Sequence, residues 1–271
     1  MDHATRFVLA GPASWPLERT IEWAAAHGFT RVDLQSDVPP NYPGTFSADR
    51  RVSIRDLVAK HQITLGLHTL SAVNMAEITP VLHAAIDEYL RQNFDLIRDL
   101  GGSYVICHGG FHFSSDRETR LATAIARMQY AVHLAEERGL DVYFENHNKE
   151  PDDAEIHYMP RDVAETRRFF DAVHSPRFKW ACNVAHASLV PDGIDGFLDA
   201  FGVARIGQVR LNDNRGTHEE HLLPGEGTID FRHAFRRLTE LGYRGPFTLD
   251  FGGPEDRAAW RDTFARWLAE A

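Results

Sequence analysis

The chain has 271 residues, of which 43% are hydrophobic, so it can bury one sizeable core, and we expect a single domain over residues 1–271. Acidic residues outnumber basic ones by 39 to 29, and the formal charge of −10 argues against nucleic acid as a partner. No window approaches the roughly 18 apolar residues that a membrane span needs, and the first residues lack a leader pattern, so we expect a soluble, cytoplasmic protein without a membrane partner.

Short β-branched or aromatic runs alternate with longer segments of helical period along the whole chain, which is typical of βαβ units. In chain order, strands are predicted at residues 7–10, 31–34, 63–68, 103–108, 140–146, 178–183, 204–212 and 246–251. Helices are predicted at residues 16–28, 54–61, 79–102, 121–138, 161–173, 193–201, 230–241 and 255–270. Eight such pairs predict an α/β protein with one (β/α)₈ TIM barrel.

An open, doubly wound sheet is the competing α/β architecture. It would normally carry a Gly-rich phosphate-binding turn after its first strand, whereas this chain continues as GPASWP. The barrel is therefore preferred, and no nucleotide cofactor is expected.

The carboxyl ends of the predicted strands are unusually polar. They carry His68, His108, Glu145, Asn146, Asn183, His186, Arg210, Asp213 and Asp250, and the loop after the seventh strand adds Glu219 and His221. These ends converge on one funnel in such a barrel, where residues are typically catalytic. Because unpaired buried charges are costly, we expect these groups to pair with a ligand, a metal or one another. For Arg210, a purely structural ion pair with Asp250 or Glu145 is an alternative.

Six stretches make the pattern recognisable. They are LGLHT, YVICHGG, YFENH, CNVAHA, VRLNDNRGTHEEHLLPGEGTIDF and GYRGPFTLDF, in this order. With them the chain resembles the xylose-isomerase-like TIM barrels over nearly its whole length. This superfamily contains sugar and sugar-phosphate isomerases and epimerases and the class II apurinic endonucleases, so the resemblance implies carbohydrate metabolism.

In sugar-processing members, the resemblance implies one divalent metal (Mn, Mg or Zn) held by Glu, Asp, His and Glu of strands five to eight. The matching positions carry Glu145, Asn183, Arg210 and Asp250. An arginine has only donors and a permanent positive charge, so it cannot ligate a cation. If its guanidinium points into the site, it takes the metal's place between Glu145 and Asp250. A metal bound here would have only Glu145, Asn183 and Asp250 as ligands.

The endonuclease-like members imply two further metal clusters. One matches His68 and His108 with Glu145, and the other matches a second set of two histidines and a carboxylate: His186, Glu219 and His221. Such sets suit zinc with an open coordination position. In mononuclear relatives the same histidines bind sugar hydroxyls or phosphate directly. The residues interpreted as substrate-binding are therefore His68, His108, Asn183, His186, Glu219 and His221.

Proton transfer on a small polyhydroxylated carbonyl compound is the leading functional hypothesis: isomerisation, epimerisation, or a related dehydration or decarboxylation. Glu145 and Asp250 would act as acid and base at adjacent carbons, and Arg210 would stabilise the negative charge that develops on oxygen. One alternative is metal-assisted hydrolysis of a small ester or lactone by the outer clusters. Another is a sugar-binding protein without catalysis.

Two further features have open interpretations. The aromatic side chains Trp15, Phe111, Phe113 and Tyr158 near the strand ends could form an apolar wall for substrate or a contact in a homo-oligomer. The PGEG segment at residues 224–227 could offer N–H groups to an anion or form a plain turn.

Overall fold

A computed structural model gives the structure of the protein and describes residues 3–36, 38–113 and 115–271. Eight parallel strands form a closed barrel. They are β1 (Phe7–Ala10), β2 (Arg31–Gln35), β3 (Thr64–His68), β4 (Tyr104–Cys107), β5 (Asp141–Glu145), β6 (Phe178–Asn183), β7 (Ile206–Leu211) and β8 (Phe247–Leu249). The fold prediction is confirmed: this is a (β/α)₈ TIM barrel.

Helices cover the outside of the barrel. They are α1 (Leu17–Ala26), α2 (Ala48–His61), α3 (Pro80–Asp99), α4 (Arg117–Arg138), α5 (Val163–Ala172), α6 (Val184–Ala187), α7 (Gly193–Phe201), α8 (Phe231–Glu240) and α9 (Pro254–Glu270). Among the described helices, none is long and apolar enough to cross a membrane.

The barrel closes because the first and last strands pair with each other. Phe7 of β1 aligns with Phe247 of β8, and Leu9 of β1 aligns with Val32 of β2. Side chains alternate between the two faces of a strand, so Phe7, Leu9 and Val32 pack in the core between the strands and the helices. The intervening residues point into the barrel.

Two predicted helices begin earlier than expected, and each begins directly after a residue of N-cap type. α2 begins at Ala48 rather than residue 54, because the Ser47 hydroxyl accepts a hydrogen bond from the backbone N–H of Arg50. α4 begins at Arg117, directly after Asp116, and ends at Arg138, followed by Gly139 in the left-handed conformation (φ 71°). The sequence-based starts were wrong because both first turns are polar and lack the apolar spacing of a helix.

The inside of the barrel combines a small apolar cluster, Tyr104, Tyr143, Ile106 and Ala181, with buried polar residues. Tyr104 and Tyr143 stack with ring centroids 4.2 Å apart, and Gly66 leaves the space that Tyr104 fills, since a Cβ there would overlap the ring. Above these rings lie Asp33 and Gln208, both almost fully buried. The barrel interior therefore supplies a polar floor to the funnel at the strands' carboxyl ends.

Candidate active site at the carboxyl ends of the strands

Arg210 lies at the centre of the funnel, with only 1% of the residue exposed. Its Nε is 3.3 Å from Glu145 Oε1, its Nη2 donates to Asp250 Oδ2 at 2.5 Å, and its Nη1 donates to Asp33 Oδ2 at 3.3 Å. We call Asp33, Glu145, Arg210 and Asp250 the arginine cluster. The guanidinium thus points into the site, between the two carboxylates that the sequence predicted as its neighbours.

Mutual pairing fixes the charges of the arginine cluster. Burial opposes ionisation, but the attraction of Arg210 outweighs it and holds the pKa of Glu145 well below its usual range. The same balance lowers the pKa of Asp250 to about 2, with a further contribution from His221. Burial also disfavours the guanidinium, yet the carboxylates of Glu145, Asp250 and Asp33 raise the pKa of Arg210 above its ordinary value. Both flanking carboxylates are therefore ionised at neutral pH.

Both polar atoms of the Asn183 side chain are hydrogen-bonded to other residues of the protein. Its Nδ2 donates to Glu145 Oε1 at 2.8 Å, and its Oδ1 accepts the backbone N–H of His186 at 3.1 Å, which caps α6. The amide therefore turns a donor, not a ligand oxygen, towards Glu145. With a guanidinium between Glu145 and Asp250 as well, the four central positions do not fit the divalent metal that the resemblance implies.

The first outer cluster does fit a metal ion. His68 Nε2 and His108 Nε2 lie 3.3 Å and 3.5 Å from Glu145 Oε2, and the ligand atoms of these three residues all lie within 4.8 Å of one another. Two imidazoles and one carboxylate suit a transition metal or zinc. The buried Nδ1 atoms of both histidines have no hydrogen-bond partner among the described residues.

The second outer cluster is an ion-paired group. Glu219 Oε1 lies 2.5 Å from His186 Nε2 and 2.9 Å from His221 Nε2. Burial alone would lower the pKa of His186, but Glu219 raises it, and Glu219 together with Asp250 raises the pKa of His221 to about 10. Among the described residues, the group whose geometry could hold a metal ion is His68, His108 and Glu145, not this second cluster. The Glu219 carboxylate is therefore already paired with the imidazoles of His186 and His221, whose raised pKa values favour their protonated forms.

His221 has a strained backbone. It adopts a left-handed conformation (φ 53°), which is uncommon for a residue with a side chain. Its Nδ1 is 2.8 Å from the carbonyl oxygen of Asp250. The loop after β7 thus places His221 directly above the end of β8.

His147 is a site residue that sequence reasoning did not single out. Its ring stacks on Tyr158 at 4.1 Å and on His186 at 5.4 Å, and its centroid is 5.1 Å from that of His108. Burial, followed by the neighbouring histidines His108 and His186, lowers the pKa of His147 to about 3, so the ring is neutral. Its buried Nε2 has no partner among the described residues. The sequence feature that could have identified His147 is its position in YFENH, two residues after Glu145.

Asp33 is the second residue that was missed. The stretch RVDLQ forms β2, in which Val32 and Leu34 face the helices. Alternation therefore turns Asp33 into the barrel. The sequence feature that could have identified Asp33 is a carboxylate between two apolar strand residues, Val32 and Leu34.

Two strand-end residues have structural roles. Asn146 ties β5 to β6, because its Oδ1 accepts from Trp180 Nε1 and from the backbone N–H of Asn183. Asp213 accepts backbone N–H groups from Asn214, Gly225, Gly227 and Ile229. The PGEG N–H groups of Gly225 and Gly227 thus bind Asp213, which supports a turn rather than an anion site.

The aromatic residues near the strand ends do not form one wall. Phe111 contacts Phe113 and Tyr158, with ring centroids 6.4 Å and 6.0 Å away. Trp15 packs instead against Trp23. A contact in a homo-oligomer remains a prediction.

Comparison with known proteins places this geometry in a family. Residues 21–271 match the model of the xylose isomerase-like TIM barrel. An L-ribulose 3-epimerase from Methylomonas sp. (strain DH-1) is 28% identical over 205 residues, covering 72% of this chain and 67% of that protein. An uncharacterized protein of Methanocaldococcus jannaschii is 22% identical over 258 residues, covering 93% of this chain and 85% of that protein.

Solved structures show the same fold. A D-tagatose 3-epimerase-like protein superposes with a TM-score of 0.85 at 18% identity, over 98% of this chain and 97% of that one. A D-allulose 3-epimerase from Methylomonas sp. in complex with D-allulose superposes with a TM-score of 0.72 at 21% identity, over 98% and 95% of the two chains. These relatives support an enzyme of the isomerase or epimerase class. The chain belongs to the xylose isomerase-like TIM barrel family.

Proposed function

We propose that the chain is a sugar epimerase that moves a proton at the carbon beside the carbonyl group of a small ketose. The observation that carries this proposal is the guanidinium of Arg210 between two ionised carboxylates, Glu145 and Asp250. Epimerisation needs a proton acceptor on one face of a carbon and a proton donor on the other. One ionised carboxylate would remove the proton, and the other would donate to the opposite face after it has taken up a proton from solvent.

Arg210 would stabilise the negative charge that develops on the carbonyl oxygen when the proton leaves. In the free protein, Arg210 Nη1 and Nη2 donate to Asp33 and Asp250, and Nε lies 3.3 Å from Glu145 Oε1 without a described hydrogen-bond partner. As the oxygen becomes anionic, it competes for those donors. A carboxylate that loses a donor becomes a stronger base, so oxyanion stabilisation and proton abstraction reinforce each other.

The remaining funnel residues would bind substrate hydroxyls. The unpartnered Nδ1 atoms of His68 and His108 are unsatisfied polar groups. Burying such an atom without a partner costs about 1–3 kcal/mol, so a hydroxyl that reaches it is bound favourably. We assign the same substrate-binding role to His186, Glu219 and His221, whereas Asn183, whose amide is bound to Glu145 and His186, would hold these two residues in place.

A divalent ion is an additional proposal. His68, His108 and Glu145 would hold it, and it would supply a further positive charge near the substrate oxygens. Arg210 already provides a fixed cation, so the proposed proton transfer does not depend on this ion.

We propose an uncharged sugar as substrate, because the cationic groups at the funnel are already engaged. Arg257 donates to the carbonyl oxygens of Phe251, Gly252 and Ala10, and Arg210 is enclosed by carboxylates. A phosphate group would meet Glu219 and Asp250 instead. Repulsion by these carboxylates disfavours phosphorylated ketoses.

Solvent exchange tests the proposal directly. L-Ribulose, D-tagatose, D-allulose and D-fructose are incubated with the protein in D₂O, and NMR follows the hydrogen at carbon 3. We expect a second ketose to form with deuterium at carbon 3, and Glu145→Gln to slow both changes about 1,000-fold. The exposed variant Glu255→Gln is the matched control.

Other outcomes identify the competing functions. Lactone hydrolysis without deuterium incorporation into any ketose would favour the metal-dependent hydrolase. Ketose binding without turnover or exchange would favour a sugar-binding protein. Faster turnover of a ketose phosphate than of the free ketose would contradict the uncharged substrate alone.

A further inference from the structure

Asp33 lies one layer below the funnel, inside the barrel, with 1% of the residue exposed. Its Oδ1 accepts from the Tyr104 hydroxyl at 2.5 Å. Its Oδ2 accepts from Gln208 at 3.2 Å, from Arg210 at 3.3 Å and from Thr248 at 3.4 Å. Every described partner of this carboxylate is a donor, which is the arrangement that an ionised carboxylate needs and a protonated one does not.

Arg210 is the cation that Asp33 contacts within the described part of the chain. Burial raises the pKa of Asp33, and the charge of Arg210 opposes that rise. Removing the guanidinium would leave a carboxylate in the barrel with neutral donors only. The charge of Asp33 therefore depends on Arg210.

The contact also sets the direction of the guanidinium. Nη1 is held from below by Asp33, whereas Nε and Nη2 face Glu145 and Asp250 at the funnel. A guanidinium is planar, so fixing one nitrogen limits the tilt of the other two. The lower contact is not exposed to substrate, because Asp33 is sealed under Arg210.

We propose that Asp33 is the positioning residue for Arg210: a counter-ion built into the barrel that holds the guanidinium permanently in the middle of the funnel. The catalytic part of this inference rests on the proposed function, because it takes Arg210 as the group that stabilises the oxyanion. The anchoring part does not, since guanidinium binding can be measured without turnover.

Chemical rescue tests the anchor. Arg210→Ala leaves a gap lined by Asp33, Glu145 and Asp250, which should bind free guanidinium ion. We expect low-millimolar guanidinium chloride to raise the melting temperature of Arg210→Ala and to restore part of its activity. Adding Asp33→Asn should weaken the apparent affinity for guanidinium about tenfold or more, in both readouts.

Glu165→Gln is the matched control, because Glu165 is an equally buried carboxylate that pairs with Arg117 between α5 and α4. Arg210→Ala with Glu165→Gln should bind guanidinium as Arg210→Ala does. Equal guanidinium affinity with and without Asp33→Asn would overturn the proposal. A thermal response to guanidinium without any ketose turnover would support the anchor while contradicting the proposed function.

A double-mutant cycle provides a second readout. Arg210→Met strands the charge of Asp33, so adding Asp33→Asn should lower the melting temperature less than the sum of the single effects. In the otherwise unchanged enzyme, Asp33→Asn should lower kcat about tenfold or more and change KM by less than about threefold, because it misaligns Arg210 without touching substrate. Additive melting shifts, or an unchanged kcat in a folded Asp33→Asn protein, would overturn the proposal.

Discussion

The two sides of the funnel differ in how far their polar groups are satisfied. On one side, the arginine cluster pairs each of its carboxylates with the guanidinium. On the other side, four imidazoles form what we call the histidine row: His68, His108, His147 and His186. Their successive centroids are 4.8, 5.1 and 5.4 Å apart.

Three nitrogens of the histidine row have no described hydrogen-bond partner: His68 Nδ1, His108 Nδ1 and His147 Nε2. The ion pairs of the arginine cluster hold charge in a fixed place, whereas the nitrogens without partners in the histidine row can bind a ligand. We therefore expect variants of the arginine cluster to change kcat and variants of the histidine row to change KM.

After Glu145→Gln, replacing Arg210 should give the largest effect. Arg210→Lys keeps a charge but loses the planar fork that reaches three carboxylates, and we expect kcat to fall about 100-fold for any accepted ketose. Initial rates at saturating substrate measure this, with Arg98→Lys as the exposed control. A change of KM alone would mean that Arg210 binds substrate, and the arginine cluster and the histidine row would then not differ in their kinetic roles.

The pH dependence of stability tests the arginine cluster. The pKa of Asp250 falls from 3.8 to about 2 on folding, so its ionised form stabilises the protein above about pH 3.8. That contribution, about 2 kcal/mol from the size of the shift, is lost as the pH falls through about 2.

Denaturant titrations of the wild type and Asp250→Asn should therefore differ by a constant amount between pH 7 and about 4. The difference should shrink below about pH 4. Asp262→Asn controls for loss of an exposed acidic charge. A difference that grows on acidification would mean that Asp250 is not held ionised by Arg210.

His147→Phe sharpens the other side of the comparison. Phenylalanine keeps a flat ring between Tyr158 and His186 but removes the unpartnered Nε2. We expect KM to rise about tenfold with kcat within about twofold, as for one lost hydrogen bond. His133→Phe, on the outer face of α4, is the control. An effect on kcat alone would show that the row takes part in the chemistry.

Metal removal should have the smallest effect. Because Arg210 supplies the fixed cation, prolonged chelation should leave the epimerisation rate within about twofold. Metal analysis of unchelated protein should detect less bound metal in His108→Ala than in the wild type, since His108 belongs to the fitting ligand set. Loss of activity on chelation and its return with Mn or Zn would mean that the metal, not Arg210, stabilises the oxyanion.

Much of this arrangement was predictable from the sequence. Alternating strand and helix patterns predict the barrel, and the barrel brings residues at strand ends together, as for Glu145 and Arg210. What stayed hidden depends on packing. The role of Asp33 depends on its contact with Arg210, which lies 177 positions away along the chain. The orientation of the His147 ring depends on its stacking against Tyr158. The left-handed backbone of His221 likewise depends on the path of its loop, which the residue type alone does not reveal.

The loop after β7 is fastened at its base by Asp213, which binds backbone N–H groups of Gly225, Gly227 and Ile229. Almost every amino acid carries a backbone N–H group, so these contacts with Asp213 do not depend on the side chains of the loop residues that lie between Asp213 and Gly225. Residues 215–223, which include Glu219 and His221, can therefore diversify while the frame beneath them stays closed. This segment is the natural place to graft new sugar preferences onto the scaffold.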